Sequence, residues 1–183
     1  MALTIKKTGA TLNSSINVRN EKHGDEDEGA CDFKLSGIMI DKDDLNELYG
    51  DKYYHNSLFN TKGKLTEPMT RRNAPLKFLA KFESAHVTLW LGLSDDIVKF
   101  SECKLKNITV DPQTGGLCEL CLTVQCNPEP AELAKLYIHQ NKSISASIRF
   151  GKEEVAEKDK RQVEIPIGTV GKDAAGDDTA AVH

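Results

Sequence analysis

Long apolar runs are missing from this chain of 183 residues. No stretch approaches the ~18 apolar residues that a membrane-crossing helix needs, so no membrane association is expected. The opening residues, MALTIKKTGATLNSS, hold no continuous apolar segment, so no secretory signal is expected there. Cysteine is sparse and odd in number, five in all. Without a secretory signal, five cysteines point to reduced thiols and a cytoplasmic setting. Aromatic residues make up 6%, with a single Trp. The motifs of common catalysts are absent as well: there is no GxSxG, no Walker A, no GxGxxG, no HExxH. The five histidines (His23, His55, His86, His139, His183) are scattered, and His86 reads as a surface or structurally satisfied residue. Neither an enzyme nor a bound cofactor is expected.

What is present is a period of two. Leu12, Ser14, Ile16 and Val18 share one face of 12–19. Cys31, Phe33 and Leu35 alternate with Asp32 and Lys34. Leu76, Phe78, Ala80 and Phe82 lie opposite Lys77, Leu79 and Lys81. Val87, Leu89 and Leu91 alternate through 86–91, Cys118 to Cys126 through 117–126, and Ile144 to Phe150 through 143–150. Each is a half-buried strand pattern. In 102–110 the phase changes between Cys103–Leu105 and Ile108–Val110, which predicts a bulge near Asn107. Two short helices are expected, one capped by Asp41 and stopped by Gly50, one from Pro130 to an exit at Asn141. The fold class is therefore α+β, mainly antiparallel sheet, curved into a barrel-like or sandwich form. One β-rich domain is expected over 1–151. A charged, largely disordered tail should follow over 152–183, with a short edge strand at 161–170.

Two clusters invite a metal reading and fail it. Asp25, Glu26, Asp27 and Glu28 are consecutive, whereas a calcium loop needs ligands at alternate positions. Bracketed by Gly24 and Gly29, they read as a solvated hairpin tip. Cys118 and Cys121 have CxxC spacing but fall within a strand pattern, where three positions reverse the face. No metal is expected at either. The DPQTGG stretch, 111–116, precedes a strand rather than a helix, so it reads as a hairpin turn rather than a phosphate cradle.

The net charge of −4 conceals an uneven distribution. Residues 52–81 hold seven cations (Lys52, Lys62, Lys64, Arg71, Arg72, Lys77 and Lys81) against a single anion, Glu67. Tyr53, Tyr54, Phe59 and Phe78 lie among them. Cations that track phosphates, interleaved with rings that stack on bases, are the ingredients of a single-strand nucleic-acid surface. The candidate interface is therefore Lys52, Tyr54, Lys62, Lys64, Arg71, Arg72, Lys77 and Lys81, much of it on a flexible loop at 60–75.

Two stretches, INVRNEKHGDEDEGACDFKLSG and CKLKNITVDPQTGGLCELCLTVQCNPEPAELAKL, resemble uncharacterised proteins encoded by tailed bacteriophages and prophages. They span about a third of the chain. The resemblance implies a phage protein acting in the cytoplasm of a bacterial host or in a virion, in the company of recombination functions. It carries no catalytic residues over. The expected function is a non-enzymatic accessory protein that binds single-stranded DNA in phage replication or recombination, as a homo-oligomer. The alternatives are an inhibitor or adaptor that binds a host or phage protein, and a virion or assembly component.

Overall fold

A computed structural model describes residues 3–23, 26–92 and 96–154. Eight strands and four short helices succeed one another along them. The strands are β1 (Thr4–His23), β2 (Glu26–Ile40), β3 (Leu76–Phe78), β4 (Lys81–Trp90), β5 (Ile97–Pro112), β6 (Cys118–Cys126), β7 (Lys142–Arg149) and β8 (Lys152–Glu154). The helices are α1 (Lys42–Tyr49), α2 (Tyr54–Leu58), α3 (Glu67–Thr70) and α4 (Pro130–Ile138).

All pairings are antiparallel, and six strands close on themselves. From β1 the ring runs to β2, β6, β5, β4 and β7, and β7 pairs back with β1. A closed ring hides the backbone edges that an open sheet would present to other chains. The alternation read from the sequence is what fills the interior. Phe33, Leu35, Val87, Leu89, Leu105, Leu122, Val124 and Ile148 are buried inside, with none more than marginally exposed. Each such side chain contributes about 1.5–3 kcal/mol by leaving water. Cys118 and Cys121 fall on opposite sides of β6, the first buried and the second half-buried.

Two long strands each serve two neighbours on one side. β5 pairs with β4 from Ile97 to Leu105 and with β3 from Ile108 to Val110. The changeover falls at Asn107, where φ is +53° and the register with β6 shifts, so the expected bulge is present. β4 likewise pairs with β7 over His86–Trp90 and with β8 over Lys81–Glu83. Ser84, at φ +54°, lies between the two.

Five expectations need correction. Helices α2 and α3 are additional to the two expected, so the described residues hold four helices. The supposed flexible loop at 60–75 is ordered by a bridge between Phe59 and Leu65 and by α3. The single strand at 76–82 is broken at Leu79–Ala80 into β3 and β4. In β1 the shared face does not run on to Val18, although Ile16 still packs against the core. The register with β2 shifts between Leu12 and Ile16, and the pairing with β7 stops at Leu12, so Val18 is exposed. Finally, β1 and β2 continue as a two-stranded ribbon whose pairing reaches His23 and Glu26. Glu26–Glu28 and Gly29 therefore belong to a strand rather than to a hairpin tip, while Gly24 and Asp25 lie outside the described residues. Of the tail, 152–154 form β8, and the edge strand expected at 161–170 also lies outside them.

Candidate nucleic-acid interface

The basic segment leaves the barrel through α1. Asp41 caps this helix, its carboxylate accepting from the N–H groups of Asp43 (2.9 Å) and Asp44 (3.0 Å). Gly50 ends it in the left-handed region at φ +66°, a conformation that glycine adopts without steric cost. Inside α1 the buried Asn46 fastens the start of the basic segment. Its amide donates to the Lys52 carbonyl at 2.8 Å, and its oxygen accepts from the His55 N–H at 2.8 Å. Helix α2 then buries Leu58, with Phe59 just beyond it. A turn comes next, in which the Asn60 carboxamide oxygen accepts from the N–H groups of Lys62 (2.9 Å) and Lys64 (3.1 Å).

That turn rests on the β5–β6 connection. The Gly115 N–H donates to the Gly63 carbonyl at 3.1 Å, and His55 Nε2 lies 2.9 Å from the Gly116 carbonyl oxygen. A side chain at Gly63 would press on the Gly115 backbone, 3.2 Å from its Cβ position. Leu65 and Met69 pack against the core. The segment is thus an ordered strap laid across one end of the barrel.

The eight candidate residues fare differently along it. Lys62, Lys64, Lys77 and Lys81 are exposed, and Lys62, Lys64 and Lys77 form no ion pair among the described residues. Lys52 is exposed, with its ammonium 4.8 Å from the centre of the Tyr53 ring. Arg71 is bound to Glu67 one helical turn away, both well out in solvent. Arg72 reaches Asp111 on β5 at 3.2 Å, with only 21% of its side chain exposed. Tyr54 is half-buried, and its ring is stacked on Tyr49 at 3.7 Å. Burial raises the Tyr49 phenol well above its ordinary pKa. The ring open to solvent is Tyr53, 60% exposed.

At the far end of the strap, Lys77 and Lys81 border a recess of about 250 Å³ with Phe78, Leu79, Ala80, Asn107, Ile108 and Thr109. Leu79 is 73% exposed. The sequence carries a trace of this feature, since Leu79 sits between two lysines on the polar face of 76–82. Nothing in the sequence separates Tyr53 from Tyr54, or Arg71 from Arg72. Among the described residues no helix is long and apolar enough to cross a membrane. No protein-family model, no curated protein and no solved structure matches this chain.

Proposed function

We propose that this chain is a non-enzymatic accessory protein of tailed-phage type that holds single-stranded DNA along residues 52–81 in the cytoplasm of a bacterial host. The observation that carries the reading is the run of exposed lysines on the strap. Lys62, Lys64 and Lys77 stand in solvent with no acid bound to them among the described residues, and the Tyr53 ring lies open beside Lys52. Unpaired ammonium groups are free to replace the counterions of a phosphate chain, and an open ring offers a face to a base. The resemblance to phage proteins supports the setting. On this reading the surface consists of Lys52, Tyr53, Lys62, Lys64, Lys77 and Lys81. Arg71 and Arg72 are engaged by acids, and Tyr54 belongs to the packing.

The test is fluorescence anisotropy of a labelled oligonucleotide over a range of salt. Replacing Lys62, Lys64 and Lys77 with Ala should flatten the log–log salt dependence by roughly 0.7 for each phosphate that the protein ceases to neutralise. Tyr53→Ala should weaken binding by about 1–3 kcal/mol and leave that slope in place. A wild-type protein that retains no oligonucleotide at low salt, even at high micromolar concentration, defeats the reading and turns attention to a protein partner.

A further inference from the structure

Three surface recesses can be compared as places for a ligand. One, of about 300 Å³, is lined by Glu83 and Glu102 as well as Lys104, so it presents both signs of charge. A second, of about 850 Å³, is lined by Asp41, Lys42, His55 and Asn60 among others. Several of its polar groups are already engaged by the protein: Asp41 and Asn60 by backbone N–H groups, and His55 by the Gly116 carbonyl. The third is the recess of about 250 Å³ at the break between β3 and β4, and none of the described side chains that line it is acidic.

We propose that this third recess receives one unstacked base of a single-stranded nucleic acid, with the phosphates on either side of that base drawn to Lys77 and Lys81. The inference rests on the reading of residues 52–81 as a nucleic-acid surface, and it adds where a base goes. Lys77 and Lys81 are four residues apart, at most ~13 Å along an extended chain. The two phosphates that flank one base are a single link of the sugar–phosphate backbone apart, which lies inside that span.

Between them the recess offers what a base requires. Leu79 stands out to meet a ring face. The floor cannot collapse, because the Phe78 ring is held edge-on to Tyr49 at 5.1 Å and parallel to Phe82 at 5.8 Å, while Ile108 is buried beneath. The Asn107 amide and the Thr109 hydroxyl also line it. Neither makes a side-chain hydrogen bond among the described residues. An amide both donates and accepts, which matches the mixed edges of the bases. Asn107 sits at φ +53°, a conformation that costs a non-glycine residue energy and that tends to persist where a site uses it.

The experiment compares two strands of equal length and charge, an oligothymidylate and one that lacks a base at every position. Anisotropy is measured for the wild type and for a variant combining Leu79→Ser with Asn107→Gly. Leu79 is solvated, and glycine accepts a positive φ, so this variant should keep its melting temperature. The wild type should bind the abasic strand about tenfold more weakly. The variant should bind both strands alike, with the wild-type salt slope. Equal affinity of the wild type for the two strands, or a tenfold preference that survives in the variant, overturns the recess and leaves the lysine surface standing. If the wild type binds neither strand, both readings fall.

Discussion

Arg71 and Arg72 are neighbours in sequence and identical in chemistry, yet truncating them should have different consequences. Arg71 and its partner Glu67 are 77% and 73% exposed. A solvated pair one turn apart on a helix contributes ~0–0.5 kcal/mol, so Arg71→Ala should leave stability within that range. Arg72 has 21% of its side chain in solvent and faces Asp111, which is 46% exposed. The ion pair itself is screened and adds ~1 kcal/mol at most. The larger contribution is the stem. Alanine keeps Cβ, and the two methylenes beyond it, withdrawn from water, stabilise by up to ~1.6 kcal/mol. Against this stands the Arg72 Nε, which is buried without a hydrogen-bond partner among the described residues and whose removal returns ~1 kcal/mol. The net expectation for Arg72→Ala is a loss of ~1–2 kcal/mol, a drop in melting temperature of about 3–6 °C for a domain of this size. Thermal melts by circular dichroism, with urea titrations at fixed temperature, measure both variants. An Arg71→Ala variant that melts as low as Arg72→Ala refutes the reasoning. A double-mutant cycle with Asp111→Ala that yields more than ~1 kcal/mol of coupling would assign the effect to the ion pair rather than to the stem. Charge reversal at Arg72 is consequently a poor probe of nucleic-acid binding, because it perturbs fold and surface together.

The same geometry sets other outcomes. Gly151→Ala should cost ~3 kcal/mol in chemical denaturation, because its Cβ would run into the Glu83 carbonyl oxygen and the Ser84 backbone where β7 gives way to β8; a wild-type midpoint would contradict this. In thiol labelling of the native protein, half-buried Cys121 should react first, and the buried Cys31, Cys103, Cys118 and Cys126 only on opening; prompt labelling of more than one thiol per chain counts against it. Burial above all pushes the Cys31 thiol up to about 11 and the Cys118 thiol up to about 12, from an ordinary 9.0. Since the unfolded thiols ionise first, their contribution is complete below pH 9.0 and is lost as pH rises through about 11 to 12. A variant with both changed to Ala should therefore lose less stability than the wild type across that range, and parallel losses would show that other groups govern the alkaline limb.

The parts of this fold that were legible in the sequence are those where one side of a strand faces the core. Segments 117–126 and 143–150 alternate cleanly because every second residue enters the barrel. The bulge at Asn107 was visible because a bulge shifts the buried set by one position, and that leaves a mark in the pattern. Closure left no such mark. It depends on β4 pairing with both β5 and β7, and the choice of partner between distant strands is not written in either strand alone. The two missed helices have five and four residues, too few for a period of 3.6 to repeat. At the candidate interface the charge excess was plain, but its disposition was not. The Glu67–Arg71 pair has a local spacing that could be read. The Arg72–Asp111 pair spans 39 positions and could not. Which of Tyr53 and Tyr54 stays open to solvent depends on where α2 begins, since the helix turns the second ring onto Tyr49.

Closure also limits how the chain can meet anything else. Each barrel strand has its hydrogen bonds taken on both sides along the ring, so a partner cannot simply add a strand there. Among the described residues pairing runs out on the outer side of β8, which has only β4 as a neighbour, along β5 before Lys104, where β6 does not match it, and in two further places. One is the β1–β2 ribbon, where β1 is unmatched by β7 beyond Leu12 and β2 is unmatched by β6 before Cys31. The other is the outer side of short β3, which has only β5 as a neighbour among the described residues. These two regions differ in what they present. The ribbon offers backbone edges, the means by which protein strands recognise one another. The β3 margin offers little edge but carries Lys77, Leu79 and Lys81 around a recess, and side chains of that kind suit phosphate and base. A nucleic-acid surface on the strap and an assembly surface on the ribbon would therefore not compete for the same groups. The expectation of a homo-oligomer can be tested separately, since proline substitution in the ribbon at Asn17 or Val18 should lower the mass in solution without changing the salt dependence of oligonucleotide binding. A variant that loses both together would show that the ribbon and the strap act as one surface.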